Sequence, residues 1–307
     1  FAFRLSLFSF SLCLFLYIFF KKKKGDLVYS NAIVPLYVSS FTGLQTVYEL
    51  HDFPEKYTRV YKYILGHITH ILSTNEWKKQ MLIKTLSIPK RSIFVEPNAV
   101  DIGVFDTRIS KKDARKQLGL DQNIHIALYT GHLYGWKGVD TLAQASKYSG
   151  EIQIYFVGGT VADVQRFKDI YRHFPTLQIV GHKPHEQIPI WQAAADVLVL
   201  PNTATEKISA YYTSPMKLFE YMASGRPIVS SDLPSIRQIT GEDTVILVKP
   251  DDSQVLGKAI KDVCDSPDSY ATMVQRARER IMDHTWDKRA LRISTVLSDS
   301  TAVNVLE

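Results

Sequence analysis

The segment SPMKLFEYMASGRP, residues 214–227, places a cation and a carboxylate at the start of a predicted helix. Free backbone N–H groups in a first helical turn favour an anion, and Lys217 would add a mobile positive charge there. Glu220, one turn later, would repel an anion but can accept hydrogen bonds from hydroxyl groups. Phosphate beside sugar hydroxyls is typical of a nucleotide-type ligand, although an ordinary amphipathic helix with solvated charges explains the same residues.

Two further loops carry polar residues where a predicted strand ends. Gly131 and His132 follow one strand, and Lys137 precedes the next helix. A glycine lets the backbone approach a diphosphate and a lysine adds charge, although a surface loop explains this motif equally well. The loop that begins at Gly181, after a later strand, is rich in amides and cations. Because the strand ends of a doubly wound sheet share one edge, these loops should converge on a single ligand site.

Alternating strands and helices predict an α/β fold whose parallel sheets are covered by helices on both faces. The chain has 307 residues, which favours two domains. We place the first domain at 1–105, the second at 106–285 and a final helix, which would return to the first domain, at 286–307. Predicted strands occupy 26–31, 45–50, 69–75, 92–101, 124–131, 151–159, 177–182, 196–201, 226–232 and 244–250. Helices predicted in the second domain occupy 138–148, 161–173, 187–194, 216–224, 253–264 and 267–283.

The composition excludes several classes of protein. The formal net charge of +6 suits an anionic ligand, but lysines and arginines are scattered without an aromatic-basic stripe, which disfavours nucleic-acid binding. Cys13 and Cys264 have no metal-ligand spacing and cannot form a disulfide framework. Neither G-x-G-x-x-G after a strand nor a phosphate-binding G-x-x-x-x-G-K-[ST] loop is present, so the common dinucleotide and ATPase folds lose their main support.

The chain begins with an apolar segment, residues 1–20, which precedes four lysines at 21–24. A signal peptide or membrane anchor would explain an apolar run beside a basic cluster. However, Arg4 and several serines interrupt the run, and the lysines follow it. We therefore predict a helix of the first domain, which could still touch an anionic membrane surface through its lysines. Because the first residue is Phe rather than Met, we expect the chain to be a fragment.

Four segments of the second domain resemble the donor-binding half of GT-B glycosyltransferases, in particular the large retaining GT4-like family, glycosyl transferases group 1. They are YTGHLYGWKGVDTL, YFVGG, IVGHKPHEQIPIWQAAADVLVLP and YYTSPMKLFEYMASGRPIVSSDLPSIRQI. VYELHDFPE and VEPNAVDIGVF resemble the acceptor-side segments, so the likeness covers about residues 26–290. It implies two Rossmann-like doubly wound domains with a cleft between them. The N-terminal domain would lack its first strands and its glycine-rich loop.

The resemblance also assigns roles to individual residues. It implies that Lys137 and Lys217 neutralise the donor diphosphate as the glycosidic bond breaks, and that Glu220 holds the ribose hydroxyls. His51, which follows a strand of the first domain, is implied as a catalytic contact to the acceptor or to the sugar, although a lone histidine is usually structural. The other residues expected to bind the donor are Gly131, His132, Gly181, His182, Lys183, Tyr212, Ser214, Pro215 and Met216.

Three positions depart from the family pattern. Tyr212 stands where many members have a glutamate, His132 where they have an arginine, and Gln238 where they have a glutamate. His132 is a weaker cation than arginine, because its charge depends on pH. We interpret these departures as differences in substrate.

The resemblance implies a retaining glycosyltransferase that moves a hexose-type sugar from a nucleotide-sugar donor to an acceptor hydroxyl in cell-surface glycan or glycolipid synthesis. A GT-B sugar-nucleotide epimerase and an inactive fragment that binds nucleotide sugar are the alternatives. No Asp-x-Asp motif is present, and lysines can supply the charge, so we expect neither a metal nor a cofactor. The expected partner besides the donor is a glycan or lipid-linked acceptor. We expect a cytoplasmic enzyme that is peripheral on the inner face of the membrane.

Overall fold

The computed structural model describes residues 2–303, and it describes side chains at 6–7 and 9–298. The chain divides into two units, Phe1–Pro97 and Asn98–Glu307. The predicted boundary after residue 105 falls inside the second unit, because the first residues after the division are bonded to it. Asn98 Nδ2 donates to the Ser214 carbonyl at 2.7 Å, and Val100 N donates to the His284 carbonyl at 2.9 Å.

The first unit contains a four-stranded sheet with helices between the strands. Its elements are α1 (Ala2–Lys21), β1 (Leu27–Ser30), α2 (Ile33–Ser40), β2 (Gln45–Leu50), α3 (Thr58–Leu65), β3 (His70–Ser73), α4 (Glu76–Leu86), a 3-10 turn (Lys90–Ser92) and β4 (Ile93–Val95). The strands are all parallel and run in the order β1-β2-β3-β4. Residues of β2 and β3 form most of the buried part of this sheet.

The apolar start of the chain forms a helix, α1, as predicted, and α1 packs against α2. Its large side chains are only partly covered, since Phe10, Tyr17 and Phe20 are all more than half exposed. Among the described residues, no helix combines the length and hydropathy that a membrane crossing requires.

The second unit contains a six-stranded sheet with helices on both faces. Its helices are α5 (Ile102–Phe105), α6 (Lys111–Leu118), α7 (Val139–Ala145), α8 (Val161–Tyr171), α9 (Ile188–Ala194), α10 (Met216–Ser224), α11 (Pro234–Arg237), α12 (Ser253–Asp265), α13 (Ala271–Ile281) and α14 (Trp286–Val303). Its strands are β5 (Ile126–Thr130), β6 (Gln153–Val157), β7 (Leu177–Gly181), β8 (Val197–Leu200), β9 (Ile228–Ser231) and β10 (Ile246–Val248). Short turns at Gly135–Lys137, His185–Gln187 and Pro267–Tyr270 are 3-10 helices, and Ile208–Tyr212 is a π-helix.

The order of the second sheet determines where a ligand can bind. The strands are parallel in the order β10-β9-β8-β5-β6-β7. After β5, the next two strands are added on one side of it, and β8 then pairs with its other side, so the strand order reverses at β5. In open parallel sheets, ligands bind at the carboxyl ends of the strands where the order reverses. All five residues of β5 are buried, which holds this strand rigidly in the middle of two hydrophobic cores.

The predicted α/β class with two parallel sheets is confirmed. Each of the ten described strands lies within a segment predicted to be a strand. The π-helix was not predicted. The structure groups α14 with the second unit, whereas the return of residues 286–307 to the first domain stays a prediction, and 304–307 lie outside the described residues.

Candidate functional site

A cavity of about 290 Å³ opens at the carboxyl ends of β5, β6 and β7 and at the start of α10. We call it the glycine cavity, because three glycines from two loops line it. It brings together six of the predicted site residues with six others. The lining residues are Thr130, Gly131, His132, Val157, Gly158, Gly159, His182, Lys183, His185, Ile188, Lys217 and Glu220.

Two glycines let the backbone form one wall of this cavity. Gly131 and Gly158 have φ angles of +124° and +131°, a region that favours glycine. A Cβ atom on Gly158 would lie 2.3 Å from the Gly131 carbonyl oxygen, and one on Gly131 would lie 2.8 Å from Lys217 Nζ. The two loops therefore approach each other, and Lys217 lies against them, only because neither position carries a side chain.

Lys217 is the most unusual group in the glycine cavity. Its Nζ atom is buried and has no hydrogen-bond partner among the described residues. Nζ lies 3.9 Å from the ring centroid of Tyr129, which supplies a cation–π contact but no acceptor. Burial lowers the pKa of Lys217 well below its usual value, and the nearby charge of Lys137 lowers it further. The charge of Glu220 opposes this lowering, but a buried ammonium group without a hydrogen-bond partner is costly, so this site favours an anion.

Lys137 lies close to Lys217 but not on the cavity wall. It ends the turn Gly135–Lys137, and its Nζ lies 3.7 Å from the ring centroid of Trp136. Burial lowers the pKa of Lys137 to about 8. Since its charge also lowers the pKa of Lys217, the two lysines form one positive region behind the loop after β5.

Glu220 lies one helical turn after Lys217 and lines the same cavity. Burial raises the pKa of Glu220, while the charges of His185 and Lys217 lower it. His185 Nε2 lies 3.5 Å from Glu220 Oε1. A carboxylate in this setting can accept hydrogen bonds from the hydroxyl groups of a ligand.

Tyr221 fixes the position of α10 relative to the end of β5. Its hydroxyl accepts a hydrogen bond from Thr130 N at 2.9 Å and lies 3.1 Å from Thr130 Oγ1. The apolar face of α10 is fully packed, with Leu218 and Phe219 at zero exposure. The sequence thus folds this helix so that Lys217 and Glu220 are held beside the loop that follows β5.

The loops after β5 and β7 supply the imidazoles and the remaining lysine. The ring of His132 stacks on that of Tyr134 at 4.8 Å, and the His132 carbonyl accepts a hydrogen bond from the Tyr129 hydroxyl at 2.6 Å. His182 and Lys183 line the cavity from the other loop. These groups add cations and donors around the space between Lys217 and Glu220.

Five predicted donor-binding residues do not line the glycine cavity. Ser214 instead bonds to Asn98, since its Oγ accepts from Asn98 N at 3.1 Å and its carbonyl accepts from the side chain. Pro215 is the N-cap of α10, and Tyr212 ends the π-helix. The other two are Gly181, whose carbonyl accepts from Gly158 N at 2.8 Å, and Met216, which lines a different cavity. Their roles toward a donor stay predictions.

The different cavity, of about 690 Å³, lies behind Glu220 and beside the first residues of the second unit. We call it the linker cavity. Most of its lining is apolar, yet it also includes Glu220 and His185, which therefore separate the two cavities. The lining residues are Ala99, Val100, Asp101, Val104, Phe105, Thr107, Ile109, His185, Glu186, Pro189, Ile190, Met216, Glu220 and Trp286.

His51 belongs to the first unit, where it directly follows β2. Its Nε2 lies 3.6 Å from Glu49 Oε1, and its carbonyl accepts a hydrogen bond from Lys78 Nζ at 2.6 Å. Lys78 is completely buried and also donates to the Leu50 carbonyl at 3.1 Å, so the backbone at His51 is firmly held. The catalytic role of His51 stays a prediction.

Sequence reasoning missed His185, Gly158 and Tyr129 as site residues. Gly158 was visible in the YFVGG segment, because a glycine pair after a predicted strand indicates close approach of the backbone. Tyr129 lies inside a buried strand, where an aromatic residue indicates core packing and carries no signal of a cation above it. Among the described side chains, no group of three or more His, Cys, Asp or Glu could hold a metal ion.

Comparison with known proteins shows which family the second unit resembles. Residues 124–266 match the model of the family described as "Glycosyl transferases group 1". The chain is 26% identical over 243 residues to the UDP-Gal:alpha-D-GlcNAc-diphosphoundecaprenol alpha-1,3-galactosyltransferase of Escherichia coli, covering 71% of this chain and 60% of that protein. It is 21% identical over 252 residues to the D-inositol 3-phosphate glycosyltransferase of Corynebacterium aurimucosum, covering 76% of this chain and 58% of that protein. The chain therefore spans roughly three fifths of the curated relatives it matches.

Solved structures show the same fold at low sequence identity. The crystal structure of Anabaena Alr3699/HepE in complex with UDP matches with a TM-score of 0.79 at 19% identity, over 94% of this chain and 82% of that one. Sucrose-phosphate synthase of Thermosynechococcus elongatus matches with a TM-score of 0.78 at 22% identity, over 97% and 78%. The predicted GT-B fold is confirmed. Over residues 124–266, the chain is similar to the glycosyl transferases group 1 family.

Proposed function

We propose that this protein is a retaining glycosyltransferase that moves a hexose-type sugar from a UDP-sugar to an acceptor hydroxyl. The observation that carries the proposal is the buried, unpartnered Nζ of Lys217 in the glycine cavity, one helical turn from the carboxylate of Glu220. A nucleoside diphosphate supplies the anion that the lysine lacks and the ribose hydroxyls that the carboxylate accepts. The names of the relatives, which include a UDP-galactose transferase and a UDP complex, support uridine as the base.

The chemistry follows from the position of the positive charge. In glycosyl transfer, the bond between the anomeric carbon and the diphosphate oxygen breaks, and its electron pair remains on the diphosphate. Negative charge therefore grows where Lys217 and Lys137 lie, and these cations stabilise the transition state more than the ground state. The acceptor oxygen bonds to the anomeric carbon on the same face, and its proton passes to the departing diphosphate oxygen. This scheme requires neither a metal nor another cofactor, because the lysines supply the charge.

We further propose a glycan or lipid-linked acceptor and a cytoplasmic enzyme on the inner face of the membrane. The E. coli relative acts on a diphosphoundecaprenol substrate by its name, which supports a lipid-linked acceptor. The four lysines at 21–24 follow the half-exposed aromatic side chains of α1, which supports contact with an anionic membrane surface.

The proposal is tested with the 307-residue chain and equal concentrations of UDP, GDP and ADP in a thermal unfolding assay. Binding at about 100 times the dissociation constant adds about 2.7 kcal/mol to the unfolding free energy, so a specific nucleotide raises the melting temperature measurably. UDP is expected to stabilise the protein most. If none of the three stabilises it, the donor-binding function is wrong.

Turnover is tested with UDP-glucose and UDP-galactose, separately, by following release of UDP and the fate of the sugar. A transferase is expected to release UDP slowly to water and faster when a suitable acceptor is added. Interconversion of the two sugars without UDP release would instead indicate the epimerase, and binding without turnover would indicate a non-catalytic fragment.

A further inference from the structure

His185 stands between the two cavities and touches the carboxylate that both share. It begins the turn His185–Gln187, and its Nε2 lies 3.5 Å from Glu220 Oε1. The His185 side chain is 64% exposed, whereas that of Glu220 is 11% exposed. Its ring also packs on that of Phe105 in a T-shaped arrangement, with the centroids 5.5 Å apart. A mostly exposed imidazole therefore contacts a carboxylate that is almost completely buried.

We propose that His185 is a positioning residue for Glu220, which sets the preference of the site for a ribose with free hydroxyls and the pH at which nucleotide binding is lost. This inference rests on the proposed function, because it assigns Glu220 to the ribose of a nucleoside diphosphate. His185 occupies Oε1 of the carboxylate, so Oε2 is left for the ligand. The carboxylate is held in one orientation instead of rotating between the two cavities that it lines.

The charge of Glu220 gives His185 a second effect. Burial raises the pKa of the Glu220 carboxyl, and His185 is the first of the neighbours that lower it. Without the imidazole, the carboxyl takes up a proton at higher pH and then offers fewer acceptors to hydroxyl groups. Other titratable groups line the two cavities or lie on α10, and they are unchanged when only His185 is substituted. They are Asp101, His132, His182, Lys183, Glu186, Lys217 and Tyr221.

A structural role for His185 predicts different behaviour. The side chain is mostly exposed, and it contacts the aromatic ring of Phe105. Replacing an exposed side chain of this kind usually changes unfolding free energy little. A substitution that leaves the unfolding free energy unchanged, yet alters the preference for a ribose with free hydroxyls, therefore distinguishes a positioning role from a role in folding.

The experiment measures dissociation constants of UDP and of 2′,3′-dideoxy-UDP by calorimetry between about pH 5 and pH 8, the range in which a histidine titrates. The variants are His185→Leu, which removes the donor, and His185→Gln, whose amide can donate from nearly the same place as Nε2. His173→Leu serves as the matched control, because His173 is exposed on a turn outside both cavities.

The original protein is expected to bind UDP better than the dideoxy nucleotide, and His185→Leu should lose about tenfold of that preference near neutral pH. The loss of UDP affinity at low pH should begin at a higher pH in His185→Leu than in the original protein. His185→Gln should recover much of the preference for UDP over the dideoxy nucleotide. His173→Leu should behave like the original protein.

Two results would overturn the inference in distinguishable ways. If the original protein binds UDP and His185→Leu shows the same preference and the same loss of UDP affinity at low pH, His185 does not position Glu220, although nucleotide binding stands. If the original protein binds no UDP, the proposed function fails for uridine nucleotides, and this inference fails with it.

Discussion

Substituting Lys217 by methionine should separate the stability of the protein from its function. Methionine is unbranched and similar in length, so it can occupy the space over the Tyr129 ring with a favourable sulfur–aromatic contact. The native lysine, in contrast, buries an ammonium group that has no hydrogen-bond partner among the described residues. Such a group costs about 1–3 kcal/mol or more in unfolding free energy. Lys217→Met should therefore stabilise the unliganded protein by about this amount.

The same substitution should weaken UDP binding strongly. A hydrogen bond to a charged group contributes about 1.5–3 kcal/mol, which corresponds to about a 10- to 150-fold change in dissociation constant. In a unit of this size, each 1 kcal/mol of added stability raises the melting temperature by about 2–4 °C. Calorimetric titration with UDP and thermal unfolding of the unliganded protein measure the two effects independently.

Lys258→Met is the matched control, because Lys258 is an exposed residue of α12 that lines neither cavity. It should change neither the melting temperature nor UDP affinity appreciably. The reasoning is refuted if Lys217→Met binds UDP as tightly as the original protein. It is also refuted if Lys217→Met is destabilised in the absence of nucleotide, since the lysine would then have a stabilising partner.

Three further predictions concern neighbouring groups. Burial lowers the pKa of Lys137 to about 8, below its value in the unfolded chain, so between these two pKa values the unfolded state binds more protons. The stability of the unliganded protein should therefore rise with pH above about 8, whereas UDP affinity should fall as Lys137 loses its charge. Denaturant titrations measure the first effect and calorimetry at several pH values measures the second. Glu220→Ala should weaken UDP binding by about 1.5–3 kcal/mol without unfolding the protein, and an unchanged dissociation constant with intact circular dichroism would rule out its contact with the ribose. Gly158→Ala should lower the unfolding free energy by more than about 1 kcal/mol, because its Cβ would lie 2.3 Å from the Gly131 carbonyl oxygen; a melting temperature equal to that of the original protein would contradict this packing.

The elements of the fold were predictable because their signals are local. Runs such as IALYT and VLVL are short, apolar and bounded by turn residues, which indicates buried parallel strands, and both are strands in the structure. The helix α10 was predicted at 216–224, and it spans Met216–Ser224. The π-helix Ile208–Tyr212 was not predicted, because no periodic spacing of apolar residues indicates a helix with that hydrogen-bond pattern.

The predicted site was partly recovered for a similar reason. Strand ends and helix starts share an edge of the sheet by topology, so the convergence of Gly131, Lys217 and Glu220 could be expected before any distance was known. Contacts that depend on the packing of distant segments could not be expected from the sequence. The bond from Asn98 to Ser214 joins residues 116 apart in sequence, and the approach of His185 to Glu220 depends on the angle between a loop and a helix.

The most direct test of the central claim is a crystal structure of this chain with UDP-glucose at saturating concentration. The account predicts that the diphosphate lies within hydrogen-bonding distance of Lys217 Nζ in the glycine cavity and that the ribose hydroxyls donate to the Glu220 carboxylate. A nucleotide bound away from Lys217, for example within the linker cavity, or a diphosphate that leaves this ammonium without a partner, would contradict it.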